Sequence, residues 1–195
     1  MRIKWFSLIR ITGLLLVLLY HFFQTIFPGG FFGVDVFFTF SGFLITALLL
    51  EEFGRKRQID LLGFFKRRFY RIVPPVVLMV LVTMPFTLLV RQDYVAGIGG
   101  QIAGVFGFMT NFYEMLTGGS YESQFIPHLF VHNWSLAVEV HYYILWGLAV
   151  WFLSKRSKSS SQLKGMVFLL STGAFIISFF SMFIGSLMAS SHSSV

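Results

Sequence analysis

Long apolar runs separated by short polar connections dominate the chain. Five of these runs have the length, roughly 20 residues, that an α-helix needs to cross the hydrocarbon core of a bilayer. They are Phe6–Phe27, Gly33–Leu50, Ile72–Val90, Trp134–Leu153 and Met166–Met188. Because backbone polar groups in lipid must be hydrogen-bonded within their own segment, each run is expected to be a helix. The pattern predicts an all-α, polytopic transmembrane helical bundle.

A sixth stretch, Val95–Leu116, has a mixed pattern. It begins rich in glycine (VAGIGGQIAGVFGF) and ends in the polar residues TNFYE. It predicts either a further span or a re-entrant or interfacial segment that begins and ends on one side of the membrane. The bundle therefore has five or six spans within residues 1–195, and no separate soluble domain is predicted.

The distribution of positive charge favours one of these two arrangements. Residues 51–71 hold seven basic residues against three acidic ones, so the positive-inside rule makes this segment and the N-terminus cytoplasmic. If Val95–Leu116 crossed the membrane, the loop Ser154–Gly165, with four basic residues and no acidic one, would face outward. We therefore prefer the non-crossing arrangement, in which residues 91–133 lie outside.

The amino-acid composition is typical of a membrane protein and argues against several other classes of protein. Hydrophobic residues make up 56% of the chain and charged residues 12%, against about a quarter charged in typical soluble chains. The absence of cysteine excludes disulfides and thiolate metal sites, and no metal site is predicted. The net charge of +7 sits in short segments between spans, where it sets orientation, and nucleic-acid binding is not expected.

Ionisable residues inside the spans are the candidates for chemistry, because such a residue at a helix centre costs roughly 2.5 to 3.5 kcal/mol. Arg10 and His21 are eleven residues apart in the first span, which puts them on nearly the same helix face. Arg10 either supports a site or extends to the interface. His21 either exchanges a proton near neutral pH or hydrogen-bonds to a neighbouring helix.

Two carboxylates are expected near His21. Asp35 begins the second span and either orients the imidazole or satisfies the helix dipole. Glu139 lies in the motif HNWSLAVEVHYY, one turn after Ser135 on the same helix face, and needs a partner on another helix. We expect His21, Asp35 and Glu139 to converge in one layer, as an acid–base site or as a structural polar network.

The run KRRFYR precedes Pro74–Pro75, which suit the first turn of the third span. It places Arg68 and Arg71 one helical turn apart. Two guanidinium groups at this spacing suit a phosphate or pyrophosphate, and the alternative is an anchor beside anionic lipid.

Four motifs in this order resemble the first half of the integral-membrane acyltransferase 3 family, whose members O-acetylate cell-surface glycans. They are an arginine and a histidine separated by ten residues (Arg10 and His21), GVDVFFTFSGFLIT, RRFYRIVPP and WSLAVEVHYY. The resemblance covers residues 6–152. It implies transfer of an acetyl group from cytoplasmic acetyl-CoA to a sugar hydroxyl outside a bacterial cytoplasmic membrane, with peptidoglycan muramic acid as the expected acceptor.

The resemblance makes His21 the essential catalytic residue and brings Arg68 and Arg71 to the CoA phosphates. Combined with the residue patterns, it gives His21, Asp35 and Glu139 as the predicted catalytic set. The predicted supporting residues are Arg10, Ser41, Ser135 and His141.

Family members have about ten spans, so this chain corresponds to the N-terminal part of the domain. A missing C-terminal half or a homo-oligomer is expected to complete it, with membrane lipid and the glycan acceptor as the other partners. The alternatives are a membrane transporter or helical scaffold subunit, since intramembrane ionisable residues also serve ion paths, and an inactive truncated relic.

Overall fold

The computed structural model describes residues 4–23, 25–87, 89, 97–117 and 128–192. These residues are helical apart from turns and contain no strand. The α-helices are α1 (Lys4–Phe22), α2 (Gly33–Lys56), α3 (Leu61–Thr87), α4 (Ile98–Phe106), α5 (Thr110–Thr117), α6 (Trp134–Arg156) and α7 (Ser160–His192). Short 3-10 turns precede α2 (Pro28–Phe32) and α6 (Val131–Asn133).

Four helical stretches are long and apolar enough to cross a membrane: Gly29–Lys56, Leu61–Thr87, Val131–Arg156 and Ser160–Met188. The apolar part of α1, Ile11–Phe22, is shorter. The predicted polytopic helical bundle is confirmed, with α1 as a fifth, shorter apolar helix among the described residues.

The chain forms two compact units. The first consists of Met1–Ala47 and Asp60–Leu148, and it contains every predicted site residue. The second consists of Leu48–Ile59 and Ala149–Val195, and its core is built from buried aliphatic and aromatic side chains. These are Leu49, Phe53, Ile59, Val150, Leu163 and Val167.

Helix α3 begins at Leu61, eleven residues before the predicted start of the third span. Pro74 and Pro75 therefore lie inside the helix, and their predicted place in its first turn is wrong. Residues 61–71 contain four basic residues and so do not form an apolar run. They are anchored by Phe64, which is only 2% exposed and lies against Gly147 of α6. Helix-breaking prolines are tolerated in such helices because neighbouring groups satisfy the freed carbonyls.

Side-chain contacts fix the relative directions of three helices in the first unit. Ser41 and Thr46 of α2 hydrogen-bond to Glu139 and Trp146 of α6, so residue numbers rise together and the two helices are parallel. Along α3 the contacts run in the opposite sense. Phe64 lies against Gly147, Arg68 against Tyr143, and Met79 against Asn133, so α3 and α6 are antiparallel.

Helices α4 and α5 form a short antiparallel hairpin. The phenol of Tyr113 donates a hydrogen bond to the Gly97 carbonyl, and Gly104 lies against Thr110. The turn between the two helices contains Phe108, which has a positive φ of 53°. Nine and eight residues correspond to about 12 to 14 Å of helix, too short to cross a bilayer core of roughly 30 Å.

The hairpin packs against α3 and α6. Its Val105 belongs to a buried apolar cluster with Val76, Val80 and Phe130. Further in, the ring of Phe112 lies 5.6 Å from that of His141. His141 follows the start of this span by ten residues, so the hairpin reaches about 15 Å into the bundle. This segment, residues 98–117, is called the re-entrant hairpin below.

The directions of α3 and α6 determine at which end of the first unit the chain between them begins and ends. Since α3 and α6 run in opposite senses, the chain between them leaves and returns at the same end of the first unit. This agrees with the non-crossing arrangement preferred from charge. We call the end at which α2 and α6 begin the upper end, and the end at which α3 begins the lower end.

Candidate functional site

A carboxylate held by two hydroxyl groups lies where α2 meets α6. The Ser41 hydroxyl donates a hydrogen bond of 2.5 Å to Glu139 Oε1, and the Tyr143 hydroxyl donates to the same oxygen. Ser41 and Glu139 are half-buried, and Tyr143 is only 7% exposed. Hydroxyl donors from a second helix and from the next turn of α6 explain how a carboxylate is accommodated within a membrane span.

Arg68 extends this cluster to α3. Its guanidinium carbon lies 5.7 Å from the ring centroids of both Tyr143 and Phe64, at cation–π distance. Arg68 is half-buried, whereas Arg71 is exposed. The two arginines predicted to act together on a phosphate therefore have different surroundings, and only Arg68 adjoins the Glu139 cluster.

His21 lies near the upper end, beside a second histidine. Its Nδ1 is 2.8 Å from the Val17 carbonyl oxygen, which can only accept, so Nδ1 donates and Nε2 is the basic nitrogen of the neutral ring. The ring centroid of His132 lies 5.0 Å away at an interplanar angle of 73°. The Tyr20 ring lies 5.5 Å from that of His21.

Glu139 and the histidine pair lie at different depths along α6. Glu139 follows His132 by seven residues on the chain, which places the carboxylate about 10 Å deeper than the histidine pair. Asp35 is exposed at the start of α2 and makes no hydrogen bond or ion pair with any described residue. The expectation that Asp35 orients His21 thus remains a prediction without a supporting contact.

The other predicted supporting residues have separate environments. The Ser135 hydroxyl donates a hydrogen bond of 3.3 Å to the His132 carbonyl oxygen. This hydroxyl is therefore used in a local contact at the start of α6. His141 packs against Phe112 of the re-entrant hairpin. The backbone of Arg10 lies in α1, and its side chain is outside the described part of the structure.

Two residues of this region were not among the predicted site residues. Tyr143 is four residues after Glu139, so the i, i+4 rule could have identified it as the second donor. The contact between His132 and His21 could not have been predicted from local spacing, because the two residues are more than 100 positions apart in the chain.

The helical bundle, its intramembrane carboxylate and its upper histidine pair are those of a polytopic membrane protein with ionisable side chains among its helices. The chain belongs to the acyltransferase 3 family, matching its acyltransferase domain over residues 3–192.

Among curated proteins, O-acetyltransferase OatA of Staphylococcus aureus (strain NCTC 8325 / PS 47) is 33% identical over 171 residues, covering 87% of this chain and 28% of OatA. A provisionally named O-acetyltransferase of Staphylococcus aureus (strain COL) is 35% identical over 136 residues, covering 70% of this chain and 22% of that protein. The chain thus spans between a fifth and a third of the length of these relatives. No solved structure matches it.

Proposed function

We propose that this chain transfers an acetyl group from cytoplasmic acetyl-CoA to a hydroxyl group of a glycan on the outer side of the membrane, with peptidoglycan muramic acid as the acceptor. Membership of the acyltransferase 3 family and similarity to OatA support O-acetyl transfer by a membrane protein. The identities of the donor and the acceptor are part of the proposal.

The charge distribution supports the proposed direction of transfer. The basic residues between α2 and α3 make the lower end cytoplasmic by the positive-inside rule, so the upper end faces outward. On this orientation Arg68 and Arg71 lie toward the side that supplies acetyl-CoA. His21 lies toward the side that holds the glycan.

One observation carries the assignment of His21 as the base. Its Nδ1–H donates to the Val17 carbonyl, which fixes the tautomer in which Nε2 is the basic nitrogen. In the proposed step, Nε2 accepts the proton of the glycan hydroxyl as that oxygen attacks the acetyl carbonyl. The carbon–sulfur bond of the thioester breaks, and the CoA thiolate leaves and takes up a proton.

The test is acetate release from the cell surface. The chain is expressed in a host that lacks its own surface O-acetyltransferase, and base-labile acetate is measured for wild type, His21→Ala and Phe22→Ala. Phe22 is a matched control because it is adjacent on α1 and 76% exposed. We expect acetate with wild type and Phe22→Ala, and a loss of at least about a hundredfold with His21→Ala, the usual scale of a general base.

Two results would contradict the proposal. Acetate that persists in His21→Ala at equal membrane abundance would remove His21 as the base. No acetate from wild type, with the protein present in the membrane, would show that this chain alone does not catalyse the transfer. Co-expression with a second copy or with the remainder of a relative then tests whether the site needs completion.

A further inference from the structure

A groove of about 640 Å³ runs along the first unit between α3 and α6. Phe65 and Phe69 of α3 line one side, and Val140 and Ile144 of α6 line the other. Phe69 and Ile144 are 58% and 44% exposed, so the groove opens onto the outer surface of the bundle. Its volume lies within the usual range of small-molecule sites.

The chemistry of the groove walls indicates what fits there. Nearly every lining side chain is apolar, and the polar exceptions are Lys66, Arg68 and the Tyr143 hydroxyl, which is already bonded to Glu139. The pantetheine arm of CoA carries two amides and a hydroxyl that need hydrogen-bond partners when buried. An unbranched hydrocarbon chain needs none, so the walls suit an alkyl chain better than pantetheine.

The groove is long enough for part of one acyl chain. Its α3 side extends from Leu62 to Val73, which is about 16 Å of helix. Half of a hydrocarbon core of roughly 30 Å is about 15 Å. A lipid whose phosphate lay beside Lys66 would have the seven residues from Lys66 to Val73, about 10 Å of this wall, for the first part of one acyl chain.

Positive charge lies at the end where a headgroup would sit. Lys66 lines the groove toward its Leu62 end and is exposed, and Arg67 is exposed at the next position of α3. Basic residues at the membrane surface attract anionic phospholipid headgroups, each contributing about 1 kcal/mol. The cations and the apolar walls together complement an anionic amphiphile.

We propose that the α3–α6 groove binds an anionic phospholipid of the lower leaflet, with one acyl chain along Phe65, Phe69 and Val140 and the phosphate beside Lys66. The proposal does not rest on the proposed acetyl transfer, although Arg68, which we place toward the side that supplies acetyl-CoA, also lines the groove. It has one consequence for the Glu139 cluster. Tyr143 lines the groove and donates to Glu139, so the bound chain packs against a residue that positions the carboxylate.

The test uses photoreactive lipids in bilayers of phosphatidylcholine. The full chain is reconstituted with a trace of phosphatidylglycerol or of phosphatidylcholine that carries a diazirine in its acyl chain, and labelled peptides are quantified by mass spectrometry. Labelling of the groove peptides is divided by that of α7, whose Phe168 and Phe175 are each 69% exposed. We expect this ratio to be about fivefold higher for phosphatidylglycerol, which corresponds to the energy of one basic residue at an anionic surface.

Substitutions in the groove test whether the labelled lipid binds there. Val140→Trp and Ile144→Trp fill the groove, and each should lower labelling of the groove peptides severalfold while leaving α7 labelling unchanged. Val138→Trp is the matched control, because Val138 is on the same helix, is 36% exposed and does not line the groove. Lys66→Gln should remove the preference for phosphatidylglycerol.

Three outcomes would overturn the proposal. Equal ratios for the two headgroups would show unspecific lipid contact. Unchanged labelling in both Val140→Trp and Ile144→Trp would place the lipid elsewhere. Displacement of the label by acetyl-CoA, with no preference between headgroups, would make the groove a donor site instead.

Discussion

At the scale of single residues, Glu139 is the most informative side chain. Its Oε1 accepts hydrogen bonds from Ser41 and Tyr143, and this pair of donors would also suit a purely structural polar network. A structural role needs an acceptor at this position, whereas a role in acetyl transfer needs the charge of the carboxylate. A substitution that keeps the acceptor and removes the charge separates the two roles.

Glu139→Gln is that substitution. Its amide oxygen can accept from both hydroxyls, so membrane abundance and the thermal unfolding temperature in detergent should stay near wild type. Base-labile acetate should fall by at least about a hundredfold if the carboxylate takes part in proton transfer. Glu51→Gln, an exposed carboxylate paired with Arg55, is the matched control. Full activity of Glu139→Gln would assign the cluster to structure.

The sequence predicted part of this site. Ser41 and Glu139 were both recognised, the first from the motif in α2 and the second as an intramembrane acid. The relation of His21 to its neighbours was less predictable. Asp35 was expected beside it because the two are close in the chain, but the contact observed is with His132. Which side chain faces His21 depends on helix packing, which local spacing does not encode.

At the scale of elements, α1 and α2 form a hairpin with a glycine at its closest approach. A methyl group on Gly33 would lie 2.6 Å from the Gly13 carbonyl oxygen and 2.8 Å from a methyl carbon of Val17. Small residues let membrane helices approach to backbone contact. Since His21 and Ser41 lie on these two helices, the hairpin also sets the distance between them.

Gly33→Ala should therefore separate α1 from α2. The obstruction is partly a backbone atom and cannot rotate away, so overpacking is expected to cost about 1 to 3 kcal/mol. Differential scanning fluorimetry in detergent should show a lower unfolding temperature. Gly29→Ala is the matched control, because a methyl group there has nothing within 4 Å. Equal unfolding temperatures for the two variants would contradict the close approach.

At the scale of the whole molecule, the path of the chain between α3 and α6 determines the topology. The antiparallel contacts between these helices require both ends of residues 88–133 to lie at the same end of the first unit. Helix α6 is continuous from Trp134 to Arg156, and we expect the segment after it to lie on the opposite side of the membrane from residues 88–133.

Because the chain has no cysteine, single cysteines can map this topology. We expect a membrane-impermeant maleimide to label Leu116→Cys in intact cells, since Leu116 is 87% exposed and belongs to the upper end. Gln58→Cys and Lys158→Cys, both exposed, should react only after permeabilisation. Labelling of Lys158→Cys in intact cells would mean that residues 88–133 cross the membrane.

Hydropathy and charge together predicted much of this architecture. The apolar runs located the long helices, and the charge of Ser154–Gly165 favoured the non-crossing arrangement. The start of α3 was missed because basic residues from Lys66 to Arg71 interrupt its apolar pattern, and because it depends on the contact between Phe64 and Gly147. The depth of the re-entrant hairpin was also not predictable, because it depends on packing against α3 and α6.

The re-entrant hairpin also imposes an order on biosynthesis. Its arms bury Gln101, Thr110 and Glu114, side chains that are costly in lipid without protein around them. Gln101 accepts a hydrogen bond from the backbone of Phe130, and Glu114 pairs with His128 at 2.7 Å, so both partners are synthesised after the hairpin itself. Gln101 and Glu114 therefore cannot form these contacts until residues 128–130 have been synthesised. A nascent chain stopped before His128 would leave residues 98–117 at the membrane surface, and the hairpin would enter only after α6 had been made.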